Sequence, residues 1–104
     1  MLIKGTLDVL VLKAVSTGPM HGFEITQWIE TGSAGEFGIE AAALLQALHR
    51  LEERRLLSAA WGITENNRKA RYYSLTPTGR TYLRAETAAL KSSVAALTTI
   101  LDAR

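Results

Sequence analysis

Apolar residues recur at helical spacing in three segments of the first 55 residues. The first segment follows Thr6, which is a plausible helix N-cap, and it ends at Gly18-Pro19. The second segment starts near His21 or Gly22 and stops at Gly32. Each pattern predicts an amphipathic helix with one apolar face turned toward a core.

A third helix is predicted from about residue 39 to Arg55, after a loop over residues 31–38 that contains three glycines. Leu44, Leu48 and Leu51 recur at the spacing i, i+4, i+7. Side chains at that spacing share one face of a helix, so these three are expected to face the core.

The pattern then changes from helical to extended. Residues 56–63 and 71–75 are typical of short strands, and the polar residues 64–70 between them predict a hairpin with a long, mobile tip. Thr76-Pro77 is expected to begin one last helix that extends nearly to the C-terminus, because proline favours the first helical position.

Three helices, a hairpin and a final helix predict a mainly α (α+β) chain. This is the order of a winged helix-turn-helix, in which the third helix enters the DNA major groove and the hairpin forms the wing. We divide the chain into a winged-helix domain over residues 1–76 and a C-terminal dimerisation helix over residues 77–104.

The last helix carries a heptad seam with spacings of 4, 3, 4, 3 and 4 residues and one polar interruption. The seam consists of Leu83, Thr87, Leu90, Val94, Leu97 and Leu101. Its proximal end could pack on its own domain, but the part from Leu90 to Leu101 extends some 16 Å, at about 1.5 Å per residue. An uncovered apolar stripe of that length marks an interface, so the distal part predicts a homodimer.

Composition narrows the class of protein. One hundred and four residues make one domain, and 47% apolar residues with 21% charged residues is ordinary for a soluble globular protein. The chain has no cysteine, so disulfides, Cys-based zinc sites and thiol catalysis are excluded. The absence of cysteine fits a reducing cytoplasm, and the apolar run from Leu7 to Val15 is too short to span a bilayer, so we expect a cytoplasmic protein with no membrane partner.

The net charge is only +2, but the charges are distributed unevenly. Residues 1–40 hold two basic and five acidic groups, whereas residues 41–84 hold eight basic and three acidic groups. A basic middle segment in a nearly neutral chain is expected where one face binds a polyanion, and a solvated surface of mixed charge is the alternative. Because the predicted wing lies in this segment, its cations are expected to contact DNA phosphates or an adjacent minor groove.

Four motifs, taken together and in this order, resemble the PadR family of bacterial transcriptional regulators. They are "GTLDVLVLKAV" (5–15), "GPMHGFEI" (18–25), "ALHRLEERRLLSAAWG" (47–62) and "ENNRKARYYSLTPTGR" (65–80). The resemblance implies a dimeric winged-helix repressor whose single C-terminal helix forms the dimer. The chain departs from the family where Leu45-Gln46 replaces a usual Tyr-Pro, and where Arg55 replaces a glycine at the end of the third helix.

The third helix supplies four candidate DNA contacts, Leu45, Gln46, His49 and Arg50. Gln46 can bind adenine and Arg50 can bind guanine in a bidentate way. Solvated positions are the alternative for these polar residues, and for Arg50 an ion pair with Glu53 competes directly. Leu45 is either an apolar contact near a thymine methyl group or additional core.

The wing supplies five more candidates, Asn66, Asn67, Arg68, Lys69 and Arg71. Arg68 and Lys69 are the strongest, with a solvated loop as the alternative. Arg71 begins the second strand, so it could instead pair within the sheet. The two asparagines suit a turn because asparagine tolerates left-handed backbone, so their role is structural or a DNA contact.

Trp28 and Trp61 are candidates for an effector site, because aromatic residues in some PadR relatives line a hydrophobic space between subunits. A small aromatic or hydrophobic molecule would be the ligand, and packing in the core is the favoured alternative. His21 and His49 are 28 residues apart, so a metal site has little support, and no cofactor is expected.

Catalysis is not expected from this sequence. It contains no glycine-rich phosphate loop, nucleophile elbow or clustered carboxylates. We therefore expect a sequence-specific repressor that binds a palindromic operator as a homodimer. The alternative is a different kind of binding protein. It would be a winged-helix interaction module that only dimerises or binds protein.

Overall fold

The computed structural model describes residues 5–104, which fold into four helices and one two-stranded antiparallel hairpin. This confirms the predicted mainly helical class. The elements in chain order are α1 (Thr6–Ala14), a 3-10 turn (Val15–Thr17), α2 (Gly22–Gly32), α3 (Ala41–Glu53), β1 (Leu57–Ile63), β2 (Lys69–Leu75) and α4 (Pro77–Leu101).

The ends of α1 and α2 are set by different residues. Gly5, with φ of 86°, occupies the N-cap position of α1, so the prediction of Thr6 as the cap is wrong. Thr6 is instead the first helical residue and is buried. His21 caps α2, where its Nδ1 accepts from the Glu24 backbone N–H and the Glu24 carboxylate accepts from the His21 N–H.

The core lies where α1 packs against the other three helices, and the hairpin contacts this helical body through α3, α2 and the 3-10 turn. The apolar faces predicted from the helical stripes are buried, including Leu44, Leu48 and Leu51 of α3. Leu83 of α4 joins the same core, so the first turns of α4 pack on the body of the molecule. Among residues 5–104, no helix combines the length and the apolar character needed to cross a membrane.

The hairpin is longer, and its tip shorter, than predicted. Lys69 and Ala70 belong to β2, where Lys69 pairs with Ile63 at the end of the ladder. The remaining tip is hydrogen-bonded, because Thr64 N–H donates to Arg68 O at 2.8 Å. Asn67 N–H donates to Thr64 O at 2.9 Å. The wing is therefore a two-stranded ribbon closed by a compact turn.

Met20, between α1 and α2, forms an isolated bridge to the other edge of β2. Tyr73 N–H donates to Met20 O at 2.8 Å, and Met20 N–H donates to Tyr73 O at 3.1 Å. The hydrophobic pattern of the sequence did not predict this bridge. It ties the base of the wing to the start of α2.

Helix α3 ends in a Schellman motif. Leu56 N–H donates to Leu51 O, and Arg55 N–H donates to Glu52 O, both at 2.9 Å. This closure places Arg55 in the left-handed region, with φ of 61°. Glycine adopts that region without steric cost, whereas an arginine there carries backbone strain.

We therefore expect Arg55→Gly to stabilise the fold by about 1 kcal/mol, which corresponds to a rise of roughly 4–8 °C in Tm. Arg55→Ala is the matched control, since it removes the same side chain but keeps a Cβ at the strained position. Thermal unfolding followed by circular dichroism measures both variants. Equal shifts for the two variants would mean that the side chain, and not the backbone strain, is responsible.

Candidate nucleic-acid interface

The exposed face of α3 is opposite its buried leucine stripe. Gln46 and His49 lie on this exposed face, as expected for positions off the leucine stripe, and Leu45 lies there as well. Leu45 is 54% exposed, so the alternative in which it extends the core is wrong. This face therefore offers an apolar side chain, an amide and an imidazole to a partner.

Arg50 lies at the flank of that face and is held by a carboxylate. Its Nη2 donates to Asp8 Oδ1 of α1 at 2.6 Å, and this hydrogen bond and charge raise the pKa of Arg50. The competing ion pair is therefore with Asp8, and not with Glu53 as the sequence suggested. A contact between Arg50 and a base would require this pair to open.

The wing presents its exposed polar and basic residues around the turn. Asn66, Asn67, Arg68 and Lys69 are all exposed. Asn67 has φ of 59°, so it performs the turn role that its tolerance of left-handed backbone predicted. Lys69 projects from the first position of β2 and not from the loop, so its backbone is fixed by strand pairing.

Arg71 is bound within the protein. Its Nη2 donates to Glu52 Oε2 of α3 at 2.9 Å, and both side chains are about one third exposed. The sequence had allowed pairing within the sheet, but the partner lies on the neighbouring helix. The ion pair joins the wing to α3 and so helps to set the angle between the two elements.

Neither tryptophan is packed in the core, so the favoured alternative for both is wrong. Trp28 of α2 is 38% exposed and Trp61 of β1 is 67% exposed. The buried residues of α2 are Ile25 and Ile29. Strand alternation places Trp61 on the same face of the hairpin as the buried Leu57, but further along β1, where the core no longer covers that face.

Sequence reasoning missed the two carboxylates that orient arginines beside the α3 face. Asp8 is 42 residues from Arg50, and Glu52 is 19 residues from Arg71. No local periodicity links such positions, because the tertiary fold brings them together. The only sequence signal was that each carboxylate lies on a predicted helix.

Helices α1 to α3 with the hairpin after them define a winged helix-turn-helix protein, the class of DNA-binding fold predicted above. The model of the Transcriptional regulator PadR-like family matches residues 11–85. The chain belongs to the PadR family of transcriptional regulators, which are DNA-binding proteins and not enzymes.

The chain is also similar to individual proteins. An uncharacterized protein of Lysinibacillus sphaericus, protein X, is 32% identical over 82 residues, which cover 79% of this chain and 75% of that protein. A PadR family transcriptional regulator of Eggerthella lenta has a similar structure, with a TM-score of 0.80, 26% identity, and coverage of 97% of this chain and 86% of that one.

The PadR protein of Bacillus subtilis has been solved in complex with operator DNA. It is 17% identical and has a TM-score of 0.69, over 78% of this chain and 47% of that one. At this identity the likeness shows a shared fold and no correspondence of individual contacts.

Proposed function

We propose that this PadR-family protein is a repressor that binds a palindromic operator as a homodimer in the cytoplasm. In each subunit, α3 enters the major groove and the wing contacts the flanking backbone. Leu45, Gln46 and His49 contact bases, and Arg68 and Lys69 contact phosphates.

One observation carries this proposal: the ion pair between Glu52 of α3 and Arg71 of β2 joins the helix that bears the exposed face to the strand that follows the cationic wing tip. A base-contacting helix and a phosphate-contacting ribbon must keep a fixed relative position if both are to contact one duplex. The solved operator complex of the Bacillus subtilis PadR protein supports the choice of double-stranded DNA as the ligand.

The division of contacts between α3 and the wing follows from their chemistry. The Gln46 amide can bond the N6 and N7 edge of adenine, and an apolar Leu45 suits a thymine methyl group. Arg68 and Lys69 are cations on a narrow ribbon, which suits them to phosphates. Asn66 lies at the same tip, and its amide can donate to a phosphate oxygen. Arg50 and Arg71 are already held in ion pairs within the protein.

The homodimer is proposed through the distal half of α4. Leu90 lines a groove between α1 and α4 together with Val9 and Tyr82, so its own domain partly covers it. Beyond it, Val94 is 48% exposed and Leu97 is 47% exposed. Such an apolar stripe favours a partner helix, and a two-fold dimer would bind inverted half-sites about one helical turn, or a multiple of it, apart.

Titrations at several salt concentrations test the proposal with a duplex selected by the protein from a random pool and with an unrelated duplex. Arg68→Ala removes one cation from each of two wings. The slope of log K against log salt should therefore fall in magnitude by about 2, since each phosphate contact contributes roughly 0.9. The loss of affinity should be nearly equal on both duplexes, because phosphates carry no sequence information.

Two further variants complete the design. Gln46→Ala should cost roughly 1–3 kcal/mol per base read on the selected duplex and little on the other. Arg104→Ala removes the same charge beyond the end of α4 and should leave the slope unchanged. An unchanged slope for Arg68→Ala would make the wing a solvated loop. Failure of the wild type to enrich any sequence would favour the interaction module.

A further inference from the structure

Trp61 is a large apolar side chain exposed on the wing. It lies directly opposite Arg71 in the ladder, and Ile63, two residues further along β1, lies opposite Lys69. Residues paired across an antiparallel ladder project from the same face of the hairpin. On that face Leu57 and Tyr73 are buried, whereas Trp61 is 67% exposed and Ile63 is 60% exposed. The core face of the hairpin therefore continues outward as an uncovered apolar strip.

Two cations lie over the Trp61 ring. Lys69 Nζ is 5.7 Å from the ring centroid, and Arg71 Cζ is 5.9 Å from it. Both distances fall within the range of a cation–π interaction. Arg71 is also held by Glu52 and lies 5.8 Å from the Tyr73 ring. The indole is thus positioned by a guanidinium that is itself fixed to α3.

The cations beside Trp61 indicate which kind of partner this side chain would contact. An exposed apolar ring alone would suit any apolar partner, but one beside an exposed Lys69 suits a partner that combines apolar surface with negative charge. A nucleic-acid backbone has this composition, since apolar sugar faces alternate with phosphates. Lys69 also follows directly after the tip residue Arg68, which is already proposed to contact phosphate.

We propose that Trp61 contacts DNA directly, with its indole packed against a deoxyribose while Lys69 neutralises the adjacent phosphate. This inference rests on the proposed DNA binding and adds an apolar anchor to a wing otherwise assigned only polar and charged contacts. Arg71 is then a positioning residue, which holds the ring through its contact with Glu52. Ile63 extends the same apolar strip toward the tip.

Fluorescence gives the first test, because the chain contains only two tryptophans. Trp28→Phe leaves Trp61 as the sole indole, and Trp61→Phe leaves Trp28 as the matched control. Titration with the selected duplex should change the emission of Trp61 and saturate at the stoichiometry measured by gel shift. The emission of Trp28 should stay constant. Constant Trp61 emission at saturating duplex would overturn the proposal.

Affinity and its salt dependence give the second test. Trp61→Ala should weaken binding at least roughly tenfold on both duplexes, a typical effect for a buried aromatic anchor. The salt slope should stay unchanged, because an apolar contact releases no counterions. Trp61→Phe keeps most of the apolar surface and should lose less. Circular dichroism melts should match the wild type, because Trp61 is largely exposed.

The remaining outcomes separate this inference from the proposed function. Unchanged affinity of Trp61→Ala, beside tight wild-type binding, would overturn only the role of Trp61. A smaller salt slope for Trp61→Ala would mean that the indole positions Lys69 without touching DNA. If Trp61 emission changed on dilution but not with DNA, the strip would be assigned to a second subunit. If it changed on addition of a planar aromatic compound but not with DNA, the strip would be assigned to an effector. Absence of DNA binding by the wild type would overturn both proposals.

Discussion

Gly79→Ala is expected to cost more than about 4 kcal/mol of folding free energy. Small domains have only about 5–15 kcal/mol in total, so the variant should be barely folded. For a domain of this size the loss corresponds to a fall in Tm of at least about 20 °C. Thermal and urea unfolding, followed by circular dichroism, measure the effect.

The reason is the close approach of two backbone segments at the start of α4. A Cβ added at Gly79 would overlap the Leu56 carbonyl oxygen and would lie 2.9 Å from a methyl carbon of Leu75. The first of these neighbours is backbone and cannot rotate away. Thr76 fixes the approach, because its N–H donates to Leu56 O at 3.2 Å and its hydroxyl accepts from Gly79 N–H at 2.9 Å.

Gly32→Ala is the matched control, since Gly32 is also a glycine within a helix. It is the last residue of α2, and an added Cβ there meets no heavy atom within 4 Å among the described residues outside its immediate neighbourhood. The substitution should therefore leave Tm unchanged or raise it slightly. Similar melting of Gly79→Ala and the wild type would show that the start of α4 can move away from Leu56.

The elements of the fold were predictable where their signals are local. The stripe of Leu44, Leu48 and Leu51 fixed both the existence and the buried face of α3, because helical periodicity depends only on neighbouring residues. Thr76-Pro77 marked the start of α4 for the same reason. The end of the wing loop was misplaced, because strand pairing decides whether Lys69 lies in the ladder and its side chain gives no such signal.

The candidate site was predictable only in part. The exposure of Gln46 and His49 followed from the stripe, and the position of the cationic wing followed from the order of elements. The partner of Arg50 could not be foreseen, because Asp8 reaches it only through the packing of α1 on α3. The exposure of Trp61 was missed for a related reason. A hydrophobic side chain such as Trp61 is expected to be buried. Whether it is buried depends on how far β1 extends beyond the packed helices, and that depends on the size of the helical body.

The proposed dimer leads to the second large effect, which concerns Leu97→Asp. In a two-fold interface each substitution occurs twice. Removal of a buried leucine costs about 1.5–3 kcal/mol on each side, before the burial of a carboxylate is counted. The dimer dissociation constant should therefore rise by a factor of roughly 10²–10⁴. Sedimentation at micromolar concentration should change from twice 11.3 kDa to a single chain.

Ser92→Asp provides the control, because residue 92 lies on the opposite side of α4 from Leu97 at 100° per residue. It adds the same charge to the same exposed helix and should leave the dimer intact. Loss of the dimer should also weaken binding to the selected duplex, since one subunit then holds only one half-site. The same mass for Leu97→Asp and the wild type, or a monomeric wild type at micromolar concentration, would contradict the proposal. The exposed stripe of α4 would then need another partner, because Val94 and Leu97 remain about half exposed on the isolated chain.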